Sequence, residues 1–108
     1  LHCNYYEKDT QIAVLECYYN NSNATESKGY AESIINAVSL SEDIVTRYAK
    51  TEDYYVLRNT QMPAVLVEMG FLSNDSESQK LLDDDYQESL AQRIAEGISN
   101  EIKRGENL

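Results

Sequence analysis

The segment Pro63 to Glu68 constrains the fold of this chain more than any other, because Ala64, Val65, Leu66 and Val67 form its most apolar run and a proline stands at its head. A short continuous apolar run bounded by a turn signal reads as a strand covered on both faces. Proline at a strand's first position removes no ladder hydrogen bond. The expectation is a buried central strand, which needs neighbouring strands and covering helices.

Candidate neighbours are present. Gln11 to Tyr19 is rich in strand formers and ends in the Asn20-Asn21-Ser22-Asn23 cluster, which favours a turn through side-chain to backbone hydrogen bonds. Tyr54 to Leu57 is a second aromatic and β-branched run, and Leu1 to Tyr6 is β-compatible from its first residue. Ser27 to Ser39 places Tyr30, Ile34, Ile35 and Val38 on one helical face, and a short helix is predicted over Glu42 to Ala49. Asn74 and Asp75 can cap a short helix through Leu82. Asp83 to Arg104 then carries Tyr86, Leu90, Ile94, Ile98 and Ile102 at four-residue steps. Its acidic start, its basic end and Gly105 beyond suit the helix dipole and a C-terminal stop. The predicted class is α/β: a small, mostly parallel or mixed sheet flanked by helices, one domain over residues 1–108.

Charge and length exclude several functions. Nine basic against nineteen acidic residues leave a net charge of −10, which repels a phosphate backbone, so no nucleic-acid partner is expected. No apolar run approaches the roughly 18–20 residues of a membrane span. Cys3 and Cys17 allow at most one bridge, and the spacing leaves their redox state open. The chain starts without Met and in the interior of a strand, so an upstream part is expected to be missing.

Glu68 is the first candidate for chemistry. A carboxylate where a buried strand gives way to a loop is held rigidly, in surroundings that raise its pKa toward general-base range. The bland alternative is a strand-end glutamate facing water or paired with Arg58 or Arg47. His2 is the sole histidine. It could be structural, a metal ligand, or the partner of Cys17 in a cysteine hydrolase, for which there is no local signature. Asp83, Asp84 and Asp85 are explained by the helix dipole rather than by a metal. The tyrosine pairs at 5–6, 18–19 and 54–55 are each expected to send one ring to the core and one to the surface.

Several of these residues fall in a known pattern. Tyr54 to Asn74, with Pro63-Ala-Val-Leu-Val-Glu68-Met-Gly-Phe-Leu-Ser-Asn74 at its centre, closely resembles the C-terminal part of the catalytic domain of zinc-dependent N-acetylmuramoyl-L-alanine amidases. Leu81, Tyr86, Gln87, Ala91, Ile94, Ala95, Gly97 and Ile98 extend the match. Leu1-His2-Cys3-Asn4 looks like that family's Ser-x-His-x-Asn strand with its front cut off, and Leu15 to Tyr19 and Ser27 to Ala31 fit the stretch between.

The resemblance implies a bacterial peptidoglycan hydrolase of the cell wall or extracellular space, which cleaves the amide between N-acetylmuramic acid and L-alanine with zinc-activated water. His2 matches a zinc ligand and Glu68 the catalytic acid/base; Arg58 is a candidate for binding a substrate carboxylate. The family's earlier histidine and its glutamate ligand have no counterpart here. The chain alone is therefore expected to lack the family's first strands and helix, to be inactive, and to bind zinc weakly or not at all. It is also expected to self-associate, or to need the missing half, through an exposed sheet edge. The rival implication is a degenerate, non-catalytic module that binds cell wall or regulates a partner.

Overall fold

The computed structural model describes residues 1–20 and 25–106. The chain order is β1 (His2–Asn4), β2 (Glu16–Tyr19), α1 (Ser27–Val38), β3 (Lys50–Thr51), α2 (Tyr55–Arg58), β4 (Val65–Phe71), α3 (Asp75–Leu81) and α4 (Asp84–Glu106). The four strands form one mixed sheet in the order β1-β4-β2-β3. The β1–β4 and β2–β3 pairs are parallel and the β2–β4 pair is antiparallel. The apolar run after Pro63 is thus the start of a central strand, in a helix-flanked α/β fold of the predicted class.

Side-chain alternation along the strands divides the interior in two. Leu15, Cys17, Tyr19 and Val67 meet α1 and α4 through Ala31, Ile34, Ile35, Val38, Leu90 and Ile94. The opposite face packs Tyr18 and Leu66 on Leu57 of α2. Both faces being covered explains why Tyr18 and Tyr19 are both buried, against the expectation of one ring inside and one outside. Tyr5 and Tyr6, and likewise Tyr54 and Tyr55, are instead all exposed.

Helix α4 crosses α1 closely at Gly97, where a β-carbon would sit 2.5 Å from Ile34 Cα and 2.8 Å from Ser33 O. The N-terminus of α1 is tied to the sheet by buried Ser27, whose Oγ accepts from Ala64 N at 3.1 Å. At the other end of β4, Asn74 caps α3 by accepting from Glu77 N at 3.0 Å, while Glu77 Oε1 accepts from Phe71 N at 2.8 Å.

Other expectations are corrected. Tyr54 to Leu57 is not a strand: Tyr54 is extended and Tyr55–Arg58 make one helical turn, because this places Leu57 alone in the core and leaves Tyr55 and Val56 outside. Packing overrides β propensity here. The short helix over Glu42 to Ala49 is absent. Instead Val45 O accepts from Leu15 N (2.8 Å) and Leu15 O accepts from Arg47 N (3.1 Å), so this segment's backbone is used by the sheet edge. The strands at residues 1–6 and 11–19 shorten to His2–Asn4 and Glu16–Tyr19, the lengths over which β4 offers a partner. Helix α4 runs through Gly105 to Glu106 with no positive φ, so Gly105 does not stop it. The turn expected from Asn20 to Asn23 lies largely outside the described residues.

Candidate active site

Residue 68 falls between Val67 and Met69, which point to the α1–α4 side, so its side chain emerges on the opposite face. Parallel pairing sets His2 beside it on β1 and antiparallel pairing sets Glu16 beside it on β2. His2 Nδ1 lies 3.9 Å from Glu68 Oε1, an approach of two groups rather than a hydrogen bond. The two differ sharply in exposure: 64% of the His2 side chain is accessible but only 11% of Glu68's.

Glu68 Oε2 is buried with no hydrogen-bond partner among the described residues. Burial pushes the Glu68 carboxyl above the usual carboxylate range; His2 pulls it back and the Glu16 carboxylate pushes it further up. A poorly solvated carboxylate with one unused oxygen, next to an accessible imidazole, is equipped to accept a proton.

Glu16 is the residue that sequence reasoning missed. It is 3% exposed, yet it is richly bonded. Its Oε1 accepts from Tyr18 Oη at 2.9 Å and from Asn4 Nδ2 at 3.4 Å. Its Oε2 accepts from Arg47 Nη1 at 3.0 Å and lies 3.8 Å from Lys50 Nζ. The available signal was a glutamate inside the apolar Leu15 to Tyr19 run, the same kind of signal that singled out Glu68.

The other candidates take different places. Arg58 ends α2, with Nη1 3.3 Å from Asp53 Oδ2 and its guanidinium over the Tyr55 ring. Arg47 is held on Glu16. Cys3 and Cys17 are both free thiols, Cys3 exposed and Cys17 buried. Burial pushes the Cys17 thiol up to about 12, and its side chain joins the α1–α4 core, away from the His2 face. The cysteine-hydrolase reading fails on both counts. Asp83 Oδ1 accepts from Tyr86 N at 2.9 Å, a cap at the start of α4. Among the described residues, no group of three or more His, Cys, Asp or Glu could hold a metal ion.

The chain is similar to known proteins. The chain is 35% identical over 86 residues to the uncharacterized protein YqiI of Bacillus subtilis, covering 79% of this chain and 42% of that relative. It is 36% identical over 83 residues to the amidase LytC of the same organism, of which it covers 17%. The catalytic domain of the amidase CwlV from Bacillus (Paenibacillus) polymyxa superposes with a TM-score of 0.82 at 33% identity, over 94% of this chain and 54% of that one. The N-acetylmuramoyl-L-alanine amidase of Clostridium difficile 630 gives 0.87 at 29% identity, with the same coverage. The chain thus spans about half of these solved relatives and less than half of the two curated ones. The family model described as N-acetylmuramoyl-L-alanine amidase matches residues 1–100, and the chain belongs to that family.

Proposed function

We propose that the complete protein bearing these residues hydrolyses the amide between N-acetylmuramic acid and the L-alanine of the stem peptide, acting outside the cell on peptidoglycan. The 108 residues are the C-terminal portion of its catalytic domain. The observation that carries this reading is Glu68: a buried carboxylate with an unpartnered oxygen, 3.9 Å from the only histidine, in a chain of the amidase family. Glu68 takes a proton from the attacking water and returns it to the leaving amine, and its rigid seat on β4 keeps it aimed through both steps.

Zinc is the metal that the family resemblance implies, and His2 suits it as one neutral imidazole ligand. The described residues do not complete a site, since a structural or catalytic zinc needs three or four protein ligands. The remaining ligands are proposed to come from outside these residues. Arg58, engaged by Asp53 and Tyr55, is a proposed contact for a substrate carboxylate.

The test is digestion of purified peptidoglycan by the full-length protein, followed by mass spectrometry. The expected products are stem peptides with free L-alanine amines, and Glu68→Gln is expected to lower the rate by a factor of about 10² to 10⁴. Full-length protein that releases no such peptides, yet sediments with peptidoglycan, would favour the non-catalytic module. For the 108-residue chain alone, calorimetric titration with zinc is expected to give no submicromolar site; one such site per monomer would overturn the split ligand set.

A further inference from the structure

We propose that Glu16 is a positioning residue for this site: its carboxylate, beside Glu68 in the register of the sheet, holds Asn4 and so fixes strand β1, and with it His2, against the central strand. The inference rests on the amidase reading only for its catalytic consequence.

Strand β1 is three residues long and, among the described residues, pairs only with β4, and its register against β4 shifts between His2 and Asn4. Backbone bonds hold its far end, through Leu72 N to Asn4 O at 2.7 Å. Besides the 3.9 Å approach of His2 to Glu68, its one side-chain hydrogen bond to the sheet interior among the described residues is Asn4 Nδ2 to Glu16 Oε1. That bond crosses over β4, because the strand order puts β4 between β1 and β2. Glu16 in turn cannot move freely. Tyr18 fixes one oxygen from within its own strand, and Arg47, just before β3, and Lys50, in β3, fix the other. Tyr18 is itself braced by an edge-to-face contact with Tyr54, the ring centroids 5.5 Å apart.

The chemistry demands a carboxylate at this position. All four neighbours donate, and a carboxylate is acceptor-only with room for four donors. Glutamine is nearly the same shape but turns an NH2 group toward either the two cations or the tyrosine and asparagine donors. Aspartate keeps the acceptors and loses one methylene of reach. Glu16 also acts on Glu68 directly, through the charge of its neighbouring carboxylate, so exchange at β1 is the readout that separates positioning from that electrostatic effect.

The test uses the full-length protein with Glu16→Gln and Glu16→Asp. Hydrogen exchange read by mass spectrometry is expected to speed up at least tenfold in the peptide covering residues 1–6 of Glu16→Gln, with α1 and α4 peptides unchanged. Faster exchange everywhere, or no change at β1, would overturn the proposal. In peptidoglycan digestion, Glu16→Gln is expected to lower kcat at least tenfold with KM within about threefold, and Glu16→Asp to recover part of it. Folded Glu16→Gln with wild-type kcat would equally overturn it. Wild-type protein without amidase activity would sink the proposed function, while the exchange result would still decide whether Glu16 holds β1.

Discussion

Gly97 of α4 lies directly on the backbone of Ile34 in α1, so close that a β-carbon at position 97 would stand 2.5 Å from Ile34 Cα. The neighbouring atoms are helix backbone and cannot swing aside as a side chain would. Gly97→Ala is expected to destabilise the fold by about 1–3 kcal/mol through overpacking. Gly105, in the same helix, has nothing within 4 Å of its β position and no positive φ. Gly105→Ala is expected to stabilise by up to about 1 kcal/mol through helix propensity alone. Urea unfolding of the two variants side by side checks this, and equal effects would refute the close crossing.

Asn74 closes β4 onto α3. Its side chain accepts from Glu77 N and donates to Thr10 O at 3.0 Å. Asn74→Ala removes the cap and the link to the 5–14 loop together, and is expected to cost about 1 kcal/mol or somewhat more. Asn74→Asp keeps the cap but not the donor, so its midpoint in chemical denaturation should fall between those of wild type and Asn74→Ala.

Glu101 is buried at the α1–α4 contact, accepting from Arg104 Nε at 3.0 Å and from Ser33 Oγ at 2.7 Å. The bonds from Arg104 and then Ser33 hold its carboxyl below the usual range, and burial opposes them. The folded state therefore binds this proton less tightly than the unfolded chain. Its stabilising contribution is complete above the ordinary carboxylate range and is lost as pH falls toward the lowered folded value. Thermal melts of Glu101→Gln and wild type are expected to differ most near neutral pH and to converge in acid; a gap that stays constant with pH would contradict this.

Leu1, Met62, Ile98 and Ile102 are exposed apolar residues around a groove of about 450 Å³ between β4 and α4. Beside it, β1 pairs with β4 only from Glu68 onward, so Val65 to Val67 lie beyond its reach on that side. An open strand edge beside apolar surface favours pairing with another chain. The 108-residue chain is expected to associate, with mean mass rising with concentration in light scattering, and Ile98→Glu with Ile102→Glu is expected to reduce it. A strictly monomeric wild-type profile would refute the expectation.

Residue order alone determined a good deal of this protein. The apolar run after Pro63 marked the central strand, four-residue spacing marked α4, and Asn74 marked the start of α3, because an apolar run, a helical period and a cap are each patterns of residues near in sequence. His2 and Glu68 were legible as candidates by residue type and by family pattern. Tertiary structure decided the rest. Tyr54 to Leu57 became a helical turn because only Leu57 had a core site to fill, and Val45 to Arg47 did not join a helix because their backbone groups pair with Leu15, just before β2. Glu16 became part of the site because strand register, which no local rule supplies, set it beside Glu68 and within reach of Asn4, Arg47 and Lys50. Local sequence governs what a segment prefers, whereas pairing between distant segments governs which side chains meet.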